Sequence, residues 1–206
     1  MRRRLNKDER RAHILDCARA LMSEKGFAST EMEDIRLACG ISRGGLYHHF
    51  SNKRAILAAL VMAEAKTLAR ALEEETGAPI PVLLAAGSSH LGGEPGILSA
   101  LKSTEEKQDY LSAISDAHGM VLREVLEHRL VDHVRQGVDP AHVAELFLTV
   151  NAHINRREIL GQWSNAEASG FAATALEAFA PFLRSPGDLE PMIKDLKARS
   201  EHSCSR

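Results

Sequence analysis

Gly40 is the residue that most narrows what this chain can fold into. It closes "STEMEDIRLACG", where a helix opening with Glu31, Glu33 and Asp34 is broken within two turns. Acids suit the positive end of a helix, and Ser29 or Thr30 supplies a cap, so the start is as well marked as the stop. Ile35 and Ala38 are expected to face inward. Ser42 then caps a third short helix running to about Phe50. Two short helices joined by a glycine turn, with apolar residues at the joint, form a helix-turn-helix signature.

The flanking segments are helical too. Asn6 and Glu9 make a capping box, and Ile14, Leu15, Ala18, Leu21 and Met22 form one apolar stripe that Gly26 ends. Lys53 to Glu75 reads as a long helix, with Ile56, Leu57, Leu60, Val61, Ala65, Leu68 and Leu72 along one side. "TGAPIP" (Thr76 to Pro81) breaks it. Short helices are expected in "VLLAAGSSHLGGEPG" and from Ile97 to Leu101. Residues 103–137 read as one long helix. Another begins at Pro140 under an Asp139 cap, and the last substantial one begins at Asn165.

The expected fold is therefore all-α, with about nine helices. Its parts are a helix-turn-helix domain (1–52), a connecting helix (53–75), a helical bundle (76–186) and a polar tail (187–206). Aromatics at 4% agree with helices rather than strands. Three cysteines without a C-x-x-C pair point to a reducing compartment. The basic start "MRRRLNKDERR" has no apolar run behind it, and no stretch approaches the ~20 apolar residues that span a membrane. The expected location is the cytoplasm.

Net charge is -2, but residues 1–60 hold 12 Lys/Arg against 7 Asp/Glu, whereas the remainder is acidic. A basic first part fits contact with a polyanion. Neither a nucleophile–base set, nor paired carboxylates, nor a phosphate loop stands out, so an enzyme is not expected and no cofactor is implied.

The segment "ILDCARALMSEKGFASTEMEDIRLACGISRGGLYHHFSNKRAIL" resembles the DNA-binding domain of the TetR family of bacterial transcriptional regulators. The shared pattern runs over roughly residues 8–60. It comprises an apolar helix ending in Gly-Phe, a capped second helix, Gly-Ile-Ser at the turn, Leu-Tyr-His-x-Phe, and a lysine opening the fourth helix. The resemblance implies an all-helical homodimer, usually a repressor, whose C-terminal domain dimerises and binds a small-molecule effector. Arg36 departs from the pattern, since many relatives carry alanine there, and it is expected to tilt outward along its stem, in reach of a phosphate.

A dimer of this kind places its third helices in successive major grooves of a roughly palindromic operator. Leu46 and Phe50 should pack inward, leaving Arg43, Gly44, Gly45, Tyr47 and His48 outward. Arg43 either reads guanine, worth ~1–3 kcal/mol of discrimination, or holds a phosphate. Each glycine costs about 1 kcal/mol relative to alanine in a helix. Close approach of the backbone to DNA would offset that, unless the first turn is simply loose. By resemblance Tyr47 and His48 contact phosphate. Thr30, Ser42 and Lys53 lie at helix starts, which favour anions. The Arg2–Arg4 arm could follow the backbone, enter a minor groove or stay solvated.

His48 and His49 point about 100° apart on a helix and have no further ligand at metal spacing, so no metal is expected there. The effector pocket is expected among Tyr110, His118, Met120, Leu122, Phe147, Asn151, His153 and Trp163, an apolar wall with a few polar handles. A metal- or redox-responsive regulator on the same fold is the alternative, with ligands converging from different helices. Cys17 and Cys39 are read as small packing residues. Ala144, Ala172, Ala173, Ala175 and Ala178 would permit close helix approach in a four-helix dimer interface.

Overall fold

Helices begin where a side chain satisfies their first unpaired N–H groups. Asn6 and Glu9 exchange bonds of 2.8 and 2.9 Å at the head of α1 (Lys7–Lys25), which Gly26 ends at φ +91°. Asp34 accepts from the Glu31 N–H to open α2 (Met32–Cys39). Gly40, in the left-handed conformation at φ +63°, stops it. Ser42 Oγ accepts from Gly45 N at 3.1 Å to start α3 (Arg43–His49), and Asn52 caps α4 (Lys53–Glu74). The computed structural model describes residues 6–74, 77, 80, 98 and 101–201. Among these the fold is all-α, apart from an isolated bridge between Val134 and Leu183. None of the described helices is long and apolar enough to cross a membrane.

The stretch expected as one helix over 103–137 is divided. α5 (Thr104–Ala117) widens into a π-helical stretch (His118–Leu122) and continues as α6 (Arg123–Leu130). It stops at Leu130 because the following backbone is held by another segment. Arg135 donates through N and Nε to the Phe182 and Leu183 carbonyls, while Arg184 donates to His133 and Val134. α7 (Pro140–Ile159) has its Asp139 cap and first-turn proline. α8 (Asn165–Phe179) opens at a Ser164–Glu167 capping box, and α9 (Glu190–Glu201) follows two 3₁₀ turns. The helix expected before residue 97 lies outside the described residues, as does the Arg2–Arg4 arm.

The chain forms two compact units. The first comprises Met1–Glu64 with Gly93–Ile114, and the second Ala65–Gly92 with Ser115–Arg206. Arg54 on α4 pairs with Glu105 (2.6 Å) and Asp109 (2.7 Å), and Leu101, Tyr110 and Ile114 are buried, so the start of α5 sits with the first unit. In the second unit Leu72, Leu122, Leu126, Leu130, Phe147, Leu176 and Phe179 form the core. Leu189 is fully buried in that core, with Met192, Ile193 and Leu196 against it.

Candidate nucleic-acid interface

At seven residues α3 is too short to persist alone in water. Burial of Leu46 and of Phe50 just beyond it, worth ~1.5–3 kcal/mol each, holds it in place. The Arg11 guanidinium lies 4.4 Å over the Phe50 ring and ties α1 to that end. This fixes which side faces out. Ser42, Arg43, Gly44, Tyr47 and His48 are exposed, Tyr47 at 44%, while Gly45 is half-buried. Arg43 and Tyr47 share a face, with the guanidinium 5.7 Å from the ring centre.

The two glycines differ. A methyl group on Gly44 would meet nothing within 4 Å, so nothing in the fold requires glycine there. On Gly45 it would come within 3.1 Å of Ser42 Oγ, the cap of the same helix. Gly45 therefore has a reason within the fold that Gly44 lacks.

Beside this face is an open groove of about 650 Å³ lined by Asn6, Lys7, Arg10, Gly44, Gly45, His48 and His49. Lys7 and Arg10 were not among the sequence candidates. Their basic character was visible, but their place beside α3 depends on how α1 packs. The field there is positive. Burial lowers the pKa of His49 first, and His48, Lys7, Arg10 and Arg11 push it the same way. His49 packs edge-on against His48 at 5.4 Å, so the pair splits into an exposed ring and a half-buried one.

Thr30, Lys53 and Arg36 all have partners within the fold. Thr30 does not cap α2: it is fully buried and its hydroxyl donates to the Gly26 carbonyl at 2.7 Å, leaving nothing for a phosphate. Lys53 donates to the Phe27 and Ala28 carbonyls at 2.7 and 3.1 Å and lies over the Phe27 ring, so two of its three N–H donors are engaged within the fold. Arg36 grips Glu33 through Nε and Nη2 and donates from Nη1 to the Ile41 carbonyl, bracing the turn instead of reaching outward. On α2, Ala38 is exposed where it was expected to face inward.

Residues 14–60 match the bacterial regulatory proteins of the tetR family. Over these residues the chain is similar to the TetR family. That is a family of transcriptional regulators, not of enzymes. The HTH-type transcriptional regulator UidR of Escherichia coli (strain K12) is 43% identical over 68 residues, 32% of this chain and 35% of UidR. The chain thus spans about a third of the length of this curated relative. The uncharacterized HTH-type regulator YfiR of Bacillus subtilis is 27% identical over 186 residues, 82% of this chain and 90% of YfiR. The solved structure of NalD, the secondary repressor of the MexAB-OprM multidrug efflux pump in Pseudomonas aeruginosa, shares the fold. Its TM-score is 0.52 at 23% identity, covering 87% of this chain and 99% of NalD.

Outside the matched residues, the effector candidates scatter. Tyr110 is buried in the first unit, and burial raises its hydroxyl pKa, with Glu64 adding to the shift. The others belong to the second unit. His118 opens the π-helical stretch, Met120 is 72% exposed, and Leu122 is fully buried in the core. Phe147 and Asn151 are buried four residues apart on α7, with Phe147 against Phe179 at 6.1 Å between ring centres. His153 and Trp163 instead form a surface aromatic group with Phe171, at ring separations of 5.1 to 5.6 Å. Ala144, Ala172 and Ala173 are buried within one chain, so they are spent on internal packing.

One further group escaped the sequence reading. The donor atoms of His13, Cys17 and Cys39 all lie within 4.8 Å of one another in the first unit. The spacing of His13 and Cys17 on one helical face was legible, but the arrival of Cys39 from α2 was not.

Proposed function

We propose that this chain is a ligand-responsive transcriptional repressor. It binds a roughly palindromic double-stranded operator as a homodimer in the cytoplasm and is released by a small-molecule effector. The observation that carries the DNA-reading part is the outward face of α3. It presents Arg43, Gly44, Tyr47 and His48 beside Lys7 and Arg10, in a positive field. Phosphate contacts from Tyr47, His48, Lys7 and Arg10 position the head, and Arg43 at the helix start reaches base edges. The sign of regulation follows the family habit and the description of NalD as a repressor.

Dimerisation is assigned to α7 and α8. Phe171, Thr174, Ala178 and Phe182 form an exposed stripe along α8 and just past its end, and Leu146 is exposed on α7. The effector is assigned to the second unit, where Phe147 supplies an apolar wall and Asn151, on the same face of α7, a polar handle. It acts by binding one spacing of the two reading heads more tightly than the other.

The test is fluorescence anisotropy on DNA flanking the protein's own gene. Binding should weaken steeply with salt. Arg43→Ala and Tyr47→Ala should each weaken it by roughly 5- to 100-fold, as the loss of ~1–3 kcal/mol requires. If Arg43 reads a base, its variant relaxes preference at one operator position, whereas a phosphate role lowers the salt slope by about 1. Unchanged binding in both variants would remove the DNA-reading assignment. Native mass spectrometry of the purified dimer should show a retained small molecule that Asn151→Leu loses.

A further inference from the structure

His13 and Cys17 stand one turn apart on the same face of α1, and Cys39 is the last residue of α2. The His13 ring nitrogen Nε2 lies 3.9 Å from Cys17 Sγ and 3.3 Å from the Cys39 carbonyl. Cys39 is buried, and His13 and Cys17 are half-buried. None of the three takes part in the outward face of α3.

We propose that His13, Cys17 and Cys39 form a three-ligand site for a thiophilic d¹⁰ cation, Zn²⁺ or Cu⁺. The donor set supports this first. Two thiolates and an imidazole are the ligands that soft and borderline ions select over oxygen donors. The distances support it next. A tetrahedral Zn²⁺ with bonds of ~2.3 Å to sulfur and ~2.0–2.1 Å to nitrogen keeps its donors roughly 3.5–3.8 Å apart. The present donors are already within 4.8 Å, so a shift of about an ångström by side-chain rotation closes the site. Charge is the third argument. Zn²⁺ with two thiolates and a neutral imidazole is a neutral centre, which a half-buried pocket accommodates, and a fourth position stays open.

On binding, the two thiols lose their protons to solvent and both sulfurs bond to the ion. Without a cation the Cys39 thiol is held protonated. Burial pushes its pKa up to about 12, with Cys17 adding to the shift. That disfavours a thiolate nucleophile or redox centre at this position. The location gives the site a consequence. Cys39 immediately precedes the Gly40 turn that leads to Ser42 and α3. A bound ion fastens the last turn of α2 to α1 and so stiffens the approach to the reading helix.

The test titrates the reduced, full-length protein with Co²⁺, whose bonds to thiolate give a near-ultraviolet charge-transfer band. The expected result is a band saturating at one equivalent per chain and displaced by Zn²⁺. It should be lost in Cys17→Ser and Cys39→Ser, at least tenfold weaker in His13→Ala, and kept in Cys204→Ser, a site outside the described residues. Direct titration with Cu⁺ under anaerobic reductant, in competition with Zn²⁺, identifies the preferred ion. Cys17→Ser is the decisive variant, because that residue is half-exposed and its fold can be checked by circular dichroism. No band in the wild type, a band that survives Cys17→Ser, or one lost only in Cys204→Ser overturns the proposal. So does a Cys17–Cys39 disulfide in protein that takes up no metal after reduction.

Discussion

Gly44 separates stability from function at a single position. The space beside it is open and its backbone is helical, so Gly44→Ala should stabilise the fold by ~0.5–1 kcal/mol. The same methyl group stands on the face assigned to DNA and should weaken binding. A urea midpoint that rises while anisotropy shows tighter or unchanged binding would refute close backbone approach. Glu158 is a different kind of residue effect. Burial raises its carboxyl pKa from 4.5 to about 7, and its Oε2 is buried without a hydrogen-bond partner. The folded state therefore holds this proton more tightly than the unfolded state does. Stability should fall as pH rises from about 4.5 to about 7 and then level off. Glu158→Gln should remove that fall, gaining ~1–2 kcal/mol at pH 8 after allowance for its partial solvation. Thermal midpoints at pH 5 and pH 8 for both proteins check this, and parallel pH profiles would contradict it.

At the scale of elements, the reading head is braced by side chains whose charge suggested DNA. Lys53 joins the start of α4 to the loop after α1, and Arg36 joins α2 to the turn. Lys53→Met should therefore cost ~1–3 kcal/mol of stability, the worth of charged hydrogen bonds, and leave the salt slope of DNA binding unchanged. A slope reduced by about 1 with unchanged stability would return Lys53 to the phosphate contacts. Helix starts at Asn6, Ser42 and Asp139 were legible because each cap bonds to a backbone N–H two or three residues away. The stop at Leu130 was not, because its cause is Phe182 and Leu183, about fifty residues on.

For the whole molecule, the assigned dimer face gives a clear test. Phe171 is 40% exposed in the single chain and lies on the α8 stripe. Phe171→Glu should shift the protein from dimer to monomer in size-exclusion chromatography with light scattering, and weaken operator binding with it. A variant that stays dimeric would move the interface elsewhere. The helical class, the turn at Gly40, the caps and the inward Leu46 and Phe50 were determined by the sequence itself, because periodicity and capping act within about four residues. Only the tertiary structure decided that Thr30, Arg36 and Lys53 bond to carbonyls within the fold, that Lys7 and Arg10 flank α3, and that Cys39 meets His13 and Cys17. Hydrogen-bond and donor partners are set by how helices pack. A side chain's type says what it can bind, and the packing decides what lies within its reach.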